Sequence, residues 1–435
     1  MNCTAPTPLV AIACGGTGGH LFPGIAVAEA LRERGSSVTL LISPKEVDQQ
    51  AVRSATDMEV VTLPAVAMMR GRLVGFLAGF WRAYRTARQL FDARPPQAVL
   101  AMGGFTSAPP VLAAKRHQAA TALHEANTIP GRANRWLAPW VGQAFVGFPE
   151  AAPRLRNASV IVTGTPVRPQ FQPMDPGSCR LALGLDPTRP TLLVMGGSQG
   201  ASAINDLLVR ALPILAGLAP ALQYLHLTGP NDAEKVRTAY AAHQRKAMVR
   251  PFLTEMEYAL GAASAAVSRA GASSLSEFAA MQVPAVLVPY PSAADNHQFH
   301  NARAFAKSGA ARMLDQGQAT PQGLAALLIG LVQNEEAAAD VRRALKQWQA
   351  PQAASLIAER ILSAIGKTRR CPQTAVREPV SGNDVRAGAG ALPRKPGAGQ
   401  SSEPTAYRTC ECDLDMTTDA NRWLVCGEQR VWLAG

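Results

Sequence analysis

A chain of 435 residues, 47% hydrophobic and 17% charged, is too apolar to be disordered throughout and long enough for two cores. Its net charge of +12 lies mostly within residues 1–165 and points to an anionic partner: nucleic acid, a phosphorylated substrate or an acidic membrane surface. Seven cysteines in no framework spacing favour a reducing compartment, and apolar runs such as Leu73–Trp81 and Leu324–Val332 reach about half a bilayer span, so a cytosolic, soluble chain is expected.

Short buried strands are predicted at Leu9–Cys14, Val38–Ile42, Glu59–Leu63, Ala98–Met102, Thr121–His124 and Ala144–Phe148. Helical stretches lie between them, among them Phe22–Arg34, where Pro23 suits a first turn. Residues 66–94 set six arginines (Arg70, Arg72, Arg82, Arg85, Arg88, Arg94) against one acid, Asp92. Leu73, Leu77, Phe80, Tyr84, Ala87 and Phe91 recur there at helical spacing and are expected to face the core. Met68, Met69, Val74 and Phe76 stand apart and, with Arg70 and Arg72, make a patch suited to an anionic membrane face. Groove-reading and base-stacking motifs are absent, so no nucleic acid is expected.

The proline-dense segment Gly164–Pro173, followed by Asp175-Pro-Gly, reads as an interdomain linker. Strands at Thr191–Met195, Gln223–Leu227, Ala247–Val249, Ala265–Val267 and Ala285–Val288 repeat the strand–turn–helix theme. The expected class is therefore α/β: two doubly wound parallel-sheet domains facing a cleft. Residues 366–400 carry almost no large apolar side chains, a disordered composition, and Arg422–Leu433 regains some. Cys410-Glu-Cys412 with Cys426 is at most half a zinc site, and no metal site is expected.

Three glycine-rich turns follow strands: Gly15-Gly-Thr-Gly-Gly-His20, Gly103-Gly104 and Gly196-Gly-Ser-Gln-Gly200. Each lets backbone approach a ligand and offers N–H groups to an anion. A dinucleotide fingerprint fails, because Leu21 stands where a third glycine belongs and no carboxylate ends the second strand; no turn carries the Lys-Ser/Thr pair of a P-loop. Ser268-Arg-Ala-Gly-Ala-Ser-Ser-Leu-Ser-Glu277 places small and hydroxyl residues at a helix start, suited to a diphosphate, with Glu277 a turn inside to accept from a ribose diol. Capping alone would explain the same serines. Asp295-Asn-His-Gln298 offers amides to sugar hydroxyls, and His124-Glu-Ala-Asn127 groups three polar side chains at a strand end.

Gly15 to His20 with Phe22-Pro-Gly, Gly103-Gly104-Phe with Ser107, His124-Glu-x-Asn127, Gly164-x-Pro-Val-Arg168, Gly196-Gly-Ser-Gln-Gly-Ala201 and Ser276-Glu277, in that order, resemble the MurG family of bacterial peptidoglycan glycosyltransferases, within glycosyltransferase family 28. The resemblance covers residues 9 to about 365. It implies a GT-B fold: residues 1–163 an acceptor and membrane-associating domain, 164–190 the linker, 191–365 a UDP-sugar domain with closing helices, and 366–435 a low-complexity tail, taken as disordered and without counterpart. The implied reaction is inverting transfer of N-acetylglucosamine from UDP-N-acetylglucosamine to the muramoyl 4-hydroxyl of lipid I, giving lipid II, with no cofactor. By motif position, Thr17, Gly18, Gly19 and Asn127 lie near the transferred sugar or diphosphate. Arg168 and Ser198 approach the donor, and Leu253 meets the uracil. Ala272, Ser273, Ser274, Leu275, Ser276 and Glu277 wrap diphosphate and ribose, and Gln298 holds the sugar. His20 is the first choice for general base, with His124 or Glu125 as alternatives. The resemblance also implies peripheral attachment to the anionic cytoplasmic face of the inner membrane through residues 66–85, and association with other cell-wall synthesis proteins. A diacylglycerol glycosyltransferase and a UDP-sugar 2-epimerase are rival readings; the first is disfavoured by His124-Glu-x-Asn127 with Gly103-Gly104, the second by too few acidic residues in the cleft.

Overall fold

The computed structural model describes residues 7–369, apart from 17, 46–47, 50–51, 53–57, 66–72 and 198–199, together with two strands near the C-terminus. Thr17, Ser198, Met68, Met69, Arg70, Arg72, Cys410 and Cys412 therefore lie outside the described residues.

Residues 1–373 form one compact unit built on two parallel sheets. The first has seven strands, β1 (Leu9–Ala13), β2 (Ser37–Ile42), β3 (Glu59–Thr62), β4 (Ala98–Ala101), β5 (Ala120–Glu125), β6 (Gln143–Val146) and β7 (Val160–Val162), in the order β3-β2-β1-β4-β5-β6-β7. Helices α1 (Gly18–Glu33), α2 (Leu73–Ala93), α3 (Ala108–Lys115) and α4 (Arg132–Leu137) connect them. After α5 (Pro176–Ala182), the second sheet comprises β8 (Thr191–Met195), β9 (Gln223–Leu227), β10 (Ala247–Arg250), β11 (Ala265–Ser268), β12 (Ala285–Leu287) and β13 (Arg312–Met313), in the order β10-β9-β8-β11-β12-β13. Its helices are α6 (Ser202–Leu218), α7 (Ala233–Ala242), α8 (Met256–Ala262), α9 (Ala272–Met281), α10 (His297–Lys307), α11 (Pro321–Val332) and α12 (Glu335–Lys346).

Strand order reverses between β1 and β4 in one sheet and between β8 and β11 in the other. A reversal sends the following helices to opposite faces and leaves a crevice beyond the carboxyl ends of those two strands. The glycine turn at 15–20 follows β1, that at 103–107 follows β4, that at 196–200 follows β8, and the serine-bearing turn follows β11. β7 and β13, three and two residues long, are too short to show any periodicity in the sequence.

One face of the first sheet buries Ile12, Leu40, Leu100 and Phe145 against α1 and against the closing helix α13 (Ala353–Arg369). That helix returns from the second lobe and inserts Ile357, Ala358, Ile361 and Ile365 into the first. Conversely, Ala126 and Phe148 of the first lobe belong to the second lobe's core. The Phe148 ring lies 6.1 Å from Phe305 and 5.3 Å from Trp348, which themselves stack at 4.4 Å. Shared apolar burial thus seams the lobes at the side where the chain crosses.

Two expectations need correction. The first helix starts at Gly18 rather than Phe22, so Gly18, Gly19 and His20 form its first turn. On α2, Ala83, Ala87 and Phe91 are buried and Phe80 and Tyr84 half-buried, but Leu77 faces solvent at 55% exposure with Val74 at 81% and Trp81 at 62%. Positions 74, 77 and 81 form a second apolar line at helical spacing, and periodicity alone does not say which line meets the core. Among the described residues, no helix is long and apolar enough to cross a membrane.

Residues 374–435 form a separate unit in which β14 (Trp423–Cys426) pairs antiparallel with β15 (Gln429–Trp432), Trp423 opposite Trp432. Part of the tail thus has strand structure, carried by aromatic and β-branched residues of high strand preference.

Candidate active site

The first lobe's half of the site is two turns stitched together. Thr106 Oγ1 donates to Gly15 O at 2.7 Å, and Ser107 Oγ accepts from Gly103 N–H at 3.0 Å, closing its own turn. His20, in the first turn of α1, lies against that second turn. A side chain on Gly103, where φ is +107°, would put its Cβ 2.9 Å from His20 Nε2. Only glycine adopts this backbone without strain while leaving the imidazole its place. Behind the first turn sits Asp48, fully buried, with Oδ2 accepting from Gly16 N–H at 2.6 Å and from Ser43 N–H at 3.2 Å. Lys45 Nζ donates to Gly16 O at 2.9 Å. The Gly16 amide is thus already committed.

Burial pushes the His20 imidazole below its ordinary pKa; the carboxylates of Glu125 and Asp48 oppose this, while His297 and Lys45 reinforce it. His20 is half-buried at the cleft. His124, by contrast, is fully buried, with Nε2 3.1 Å from Gly164 O, and burial lowers its pKa to about 4. Glu125 is an organiser. Oε1 accepts from Asn127 N–H at 2.9 Å and Nδ2 at 3.0 Å, and Oε2 from Gly131 N–H at 2.8 Å and Asn134 Nδ2 at 2.9 Å. Its lone pairs are committed to shaping the loop that carries Asn127.

The second lobe contributes the start of α9. Ala272 and Leu275 are buried, so only their backbone is available to a ligand, and Ser276 Oγ donates to Ala272 O at 3.0 Å within the helix. Ser273 and Ser274 are half-buried, and Ser273 Oγ donates across the cleft to Gly19 O at 3.0 Å. Gln298 Oε1 accepts from Ala270 N–H at 3.3 Å and Tyr290 N–H at 3.0 Å, fixing which end of the amide faces outward. Burial raises Glu277 to about 7, with Arg168 opposing and Glu257 adding to the shift. Arg168 is 8% exposed, and its guanidinium lies 4.5 Å from the Phe22 ring and 5.0 Å from that of Phe171, spanning linker and first lobe. Leu253 is half-buried and lines a groove of about 420 Å³ with Leu183, Met248, Arg250 and Tyr258.

The start of α1, the turn at 103–107 and the start of α9 meet at the cleft; Glu125 lies close enough to act on His20 and Arg168 on Glu277, while His124 is turned toward Gly164. Sequence reasoning missed Asp48, Asn134, Arg269 and Asn301. Arg269 stood inside the quoted serine segment. It is 8% exposed and donates from Nη1 to Val288 O at 3.0 Å, bracing the turn that leads into α9. The signal for the asparagines was a lone polar residue on an otherwise apolar helix face, which becomes meaningful only when its partners are known.

Buried neutral histidines give a pH signature. His124 and His226 titrate near 4 and 3 in the folded chain, against 6.5 when free. The unfolded chain therefore takes up protons first as pH falls, and stability is lost below about pH 6.5 down through those values. Thermal melting between pH 8 and 4 should be flat at the top of that range and fall below pH 6.5. In His226→Gln the fall should be shallower; an equally steep fall would exclude His226 as a source.

Residues 10–146 match the glycosyltransferase family 28 N-terminal domain and residues 191–358 its C-terminal domain. A protein of Syntrophotalea carbinolica is 38% identical over 341 residues, covering 74% of this chain and 89% of its own length. One from Anaeromyxobacter dehalogenans strain 2CP-C is 36% identical over 376 residues, covering 85% and 96%. Both are named UDP-N-acetylglucosamine--N-acetylmuramyl-(pentapeptide) pyrophosphoryl-undecaprenol N-acetylglucosamine transferase. Among solved structures, Acinetobacter baumannii MurG superposes with a TM-score of 0.65 at 26% identity, covering 82% of this chain and all of its own. A putative UDP-N-acetylglucosamine 2-epimerase from Listeria monocytogenes shares the fold, with a TM-score of 0.61 at 16% identity over 84% of this chain and 97% of its own.

Proposed function

The chain belongs to glycosyltransferase family 28, and from that membership and its cleft we infer that it transfers N-acetylglucosamine from UDP-N-acetylglucosamine to the 4-hydroxyl of the muramoyl residue of lipid I, giving lipid II and UDP. One observation carries the reading to this site: Ser273 at the start of α9 reaches Gly19 at the start of α1, 3.0 Å across the cleft. A donor diphosphate at α9 and an acceptor hydroxyl beside His20 would then be neighbours. Inverting transfer needs a base for that hydroxyl and charge stabilisation for departing UDP. A neutral His20 supplies the first. The unpaired N–H groups at the start of α9, the hydroxyls of Ser273 and Ser274, and Arg168 supply the second. Glu277 accepts from the ribose hydroxyls, and Asn127 and Gln298 donate to sugar oxygens.

Release of UDP from UDP-N-acetylglucosamine, with and without a lipid I analogue, tests this. Release that depends on the acceptor is expected. Acceptor-independent conversion of the sugar would favour epimerase chemistry and overturn the reading.

The acceptor carries a polyprenyl chain, so the protein is proposed to work as a peripheral protein on the anionic cytoplasmic face of the inner membrane, where other cell-wall enzymes could dock with it. The residues 66–85 segment supports this through its described part. Val74, Leu77 and Trp81 point outward on α2, with Arg82 and Arg85 exposed beside them. Each side chain fully buried in lipid would contribute roughly 1.5–3 kcal/mol, and each arginine about 1 kcal/mol on anionic lipid. Leu77→Glu with Trp81→Glu should reduce flotation with anionic vesicles about tenfold or more, leaving turnover of a soluble acceptor analogue unchanged. Undiminished flotation would move the membrane surface elsewhere.

A further inference from the structure

Asn301 is fully buried on α10, one turn beyond Gln298, and all four of its hydrogen bonds are accounted for. Oδ1 accepts from Thr128 N–H at 3.0 Å and Thr128 Oγ1 at 2.9 Å. Nδ2 donates to Asn127 Oδ1 at 3.0 Å and to Ala270 O at 3.1 Å. Three of these bonds reach the first lobe; the fourth returns to the turn that leads into α9. The Ala270 N–H is held from the other side by Gln298 Oε1 at 3.3 Å, so α10 clamps both polar groups of Ala270.

The consequence falls on Asn127. Its Oδ1 is taken by Asn301, and one N–H of its Nδ2 is taken by Glu125 Oε1 at 3.0 Å. A flipped amide would set its oxygen against the Glu125 carboxylate and its NH₂ against the Asn301 NH₂. The flip is therefore blocked at both ends, and the amide is left with one N–H and one Oδ1 lone pair, both in a fixed orientation. We propose that Asn301 is a positioning residue for the transfer: it locks the orientation of the Asn127 amide, and with it the direction of the remaining Asn127 N–H, and it does so only when the two lobes have closed. Among the described residues, other polar contacts across the cleft, Ser273 to Gly19 and Arg135 and Arg132 to Asp295 at 2.5 and 3.6 Å, are exposed. Water replaces them at little cost, whereas a buried amide deprived of partners is penalised in full. Asn301 thus ties assembly of the acceptor loop to the register of the donor turn.

This rests on the transferase reading, and the experiment separates the two. Asn301→Asp keeps size and the Thr128 contacts but turns lone pairs toward Asn127 Oδ1 and Ala270 O. Turnover with a lipid I analogue should fall roughly ten- to a hundredfold, with affinity for UDP within about threefold of wild type because Gln298 still holds the Ala270 N–H and the N–H groups that open α9 are untouched. If Asn301 merely fills space, this isosteric variant retains wild-type turnover, and the inference fails. A second measurement does not depend on that variant. Asn301→Ala and Asn127→Ala, singly and together, should be strongly non-additive in kcat, the second substitution nearly silent once the first is made. Additive losses, or a loss of UDP affinity as large as the loss of kcat, would show that Asn301 does not act through Asn127. Should wild type itself fail to release UDP with the analogue, the transferase reading falls instead.

Discussion

Transfer should slow about 10²–10⁴-fold in His20→Ala while UDP binds as before. The size follows from the role proposed for the imidazole, taking the proton of the attacking hydroxyl as the glycosidic bond forms and UDP departs. The environment suits it to that task. Burial and the positive end of α1 disfavour the imidazolium, while the carboxylates of Glu125 and Asp48 keep the ring basic enough to accept. The ring is neutral at pH 7, and the rate should fall as pH drops through its lowered pKa. Neither alternative base fits as well. His124 has no solvent-facing surface and spends Nε2 on Gly164, and Glu125 accepts four hydrogen bonds from its own loop. Single-turnover measurements on His20→Ala with bound donor would separate chemistry from binding. A rate near wild type would remove His20 from the role.

The second large effect is expected in the donor's KM. Glu277→Gln should raise KM for UDP-N-acetylglucosamine roughly tenfold to a hundredfold, the worth of a charged acceptor facing a hydroxyl. The carboxyl is held near 7 by burial, so in the free enzyme it is ionised only above that value. Because the carboxylate is the form proposed to accept from the ribose, kcat/KM for the donor should rise with pH through about 7. The bound diol stabilises the anion, so the corresponding inflection in kcat should lie lower. In Glu277→Gln this inflection disappears. A pH profile identical in variant and wild type would place the ribose elsewhere. The fold loses stability by holding this group protonated, since the unfolded chain ionises from about 4.5 upward while the native one does not until about 7. A carboxyl kept so in a cleft is the mark of a binding or catalytic group.

How much was legible in the sequence depends on how local the signal is. The strand–turn–helix repeat, the parallel sheets and the glycine turns follow from patterns within about ten residues, and their ordered set sufficed to mark the family resemblance. Thr17 and Ser198, also drawn from motifs, lie outside the described residues. The outward line on α2 was misread at Leu77 because two apolar lines share that helix. The return of α13 to the first lobe could not be read from a stretch that resembles any amphipathic helix.

Which functional side chains speak to each other was decided by tertiary structure. His124, Glu125 and Asn127 are neighbours in the chain, yet folding buries the first against Gly164, spends the second on two backbone and two side-chain amides, and leaves the third half-buried, bonded to Asn301 of the other lobe. Asp48 and Asn301 are separated from their partners by 32 and 173 residues respectively. No periodicity spans such distances. The sequence by itself determined where backbone is bare enough for a phosphate, because glycine and serine act through their own φ, size and hydroxyl. Charge state, amide orientation and the meeting of the lobes were decided only by packing, because desolvation and buried hydrogen bonds exist only once distant segments have excluded water between them.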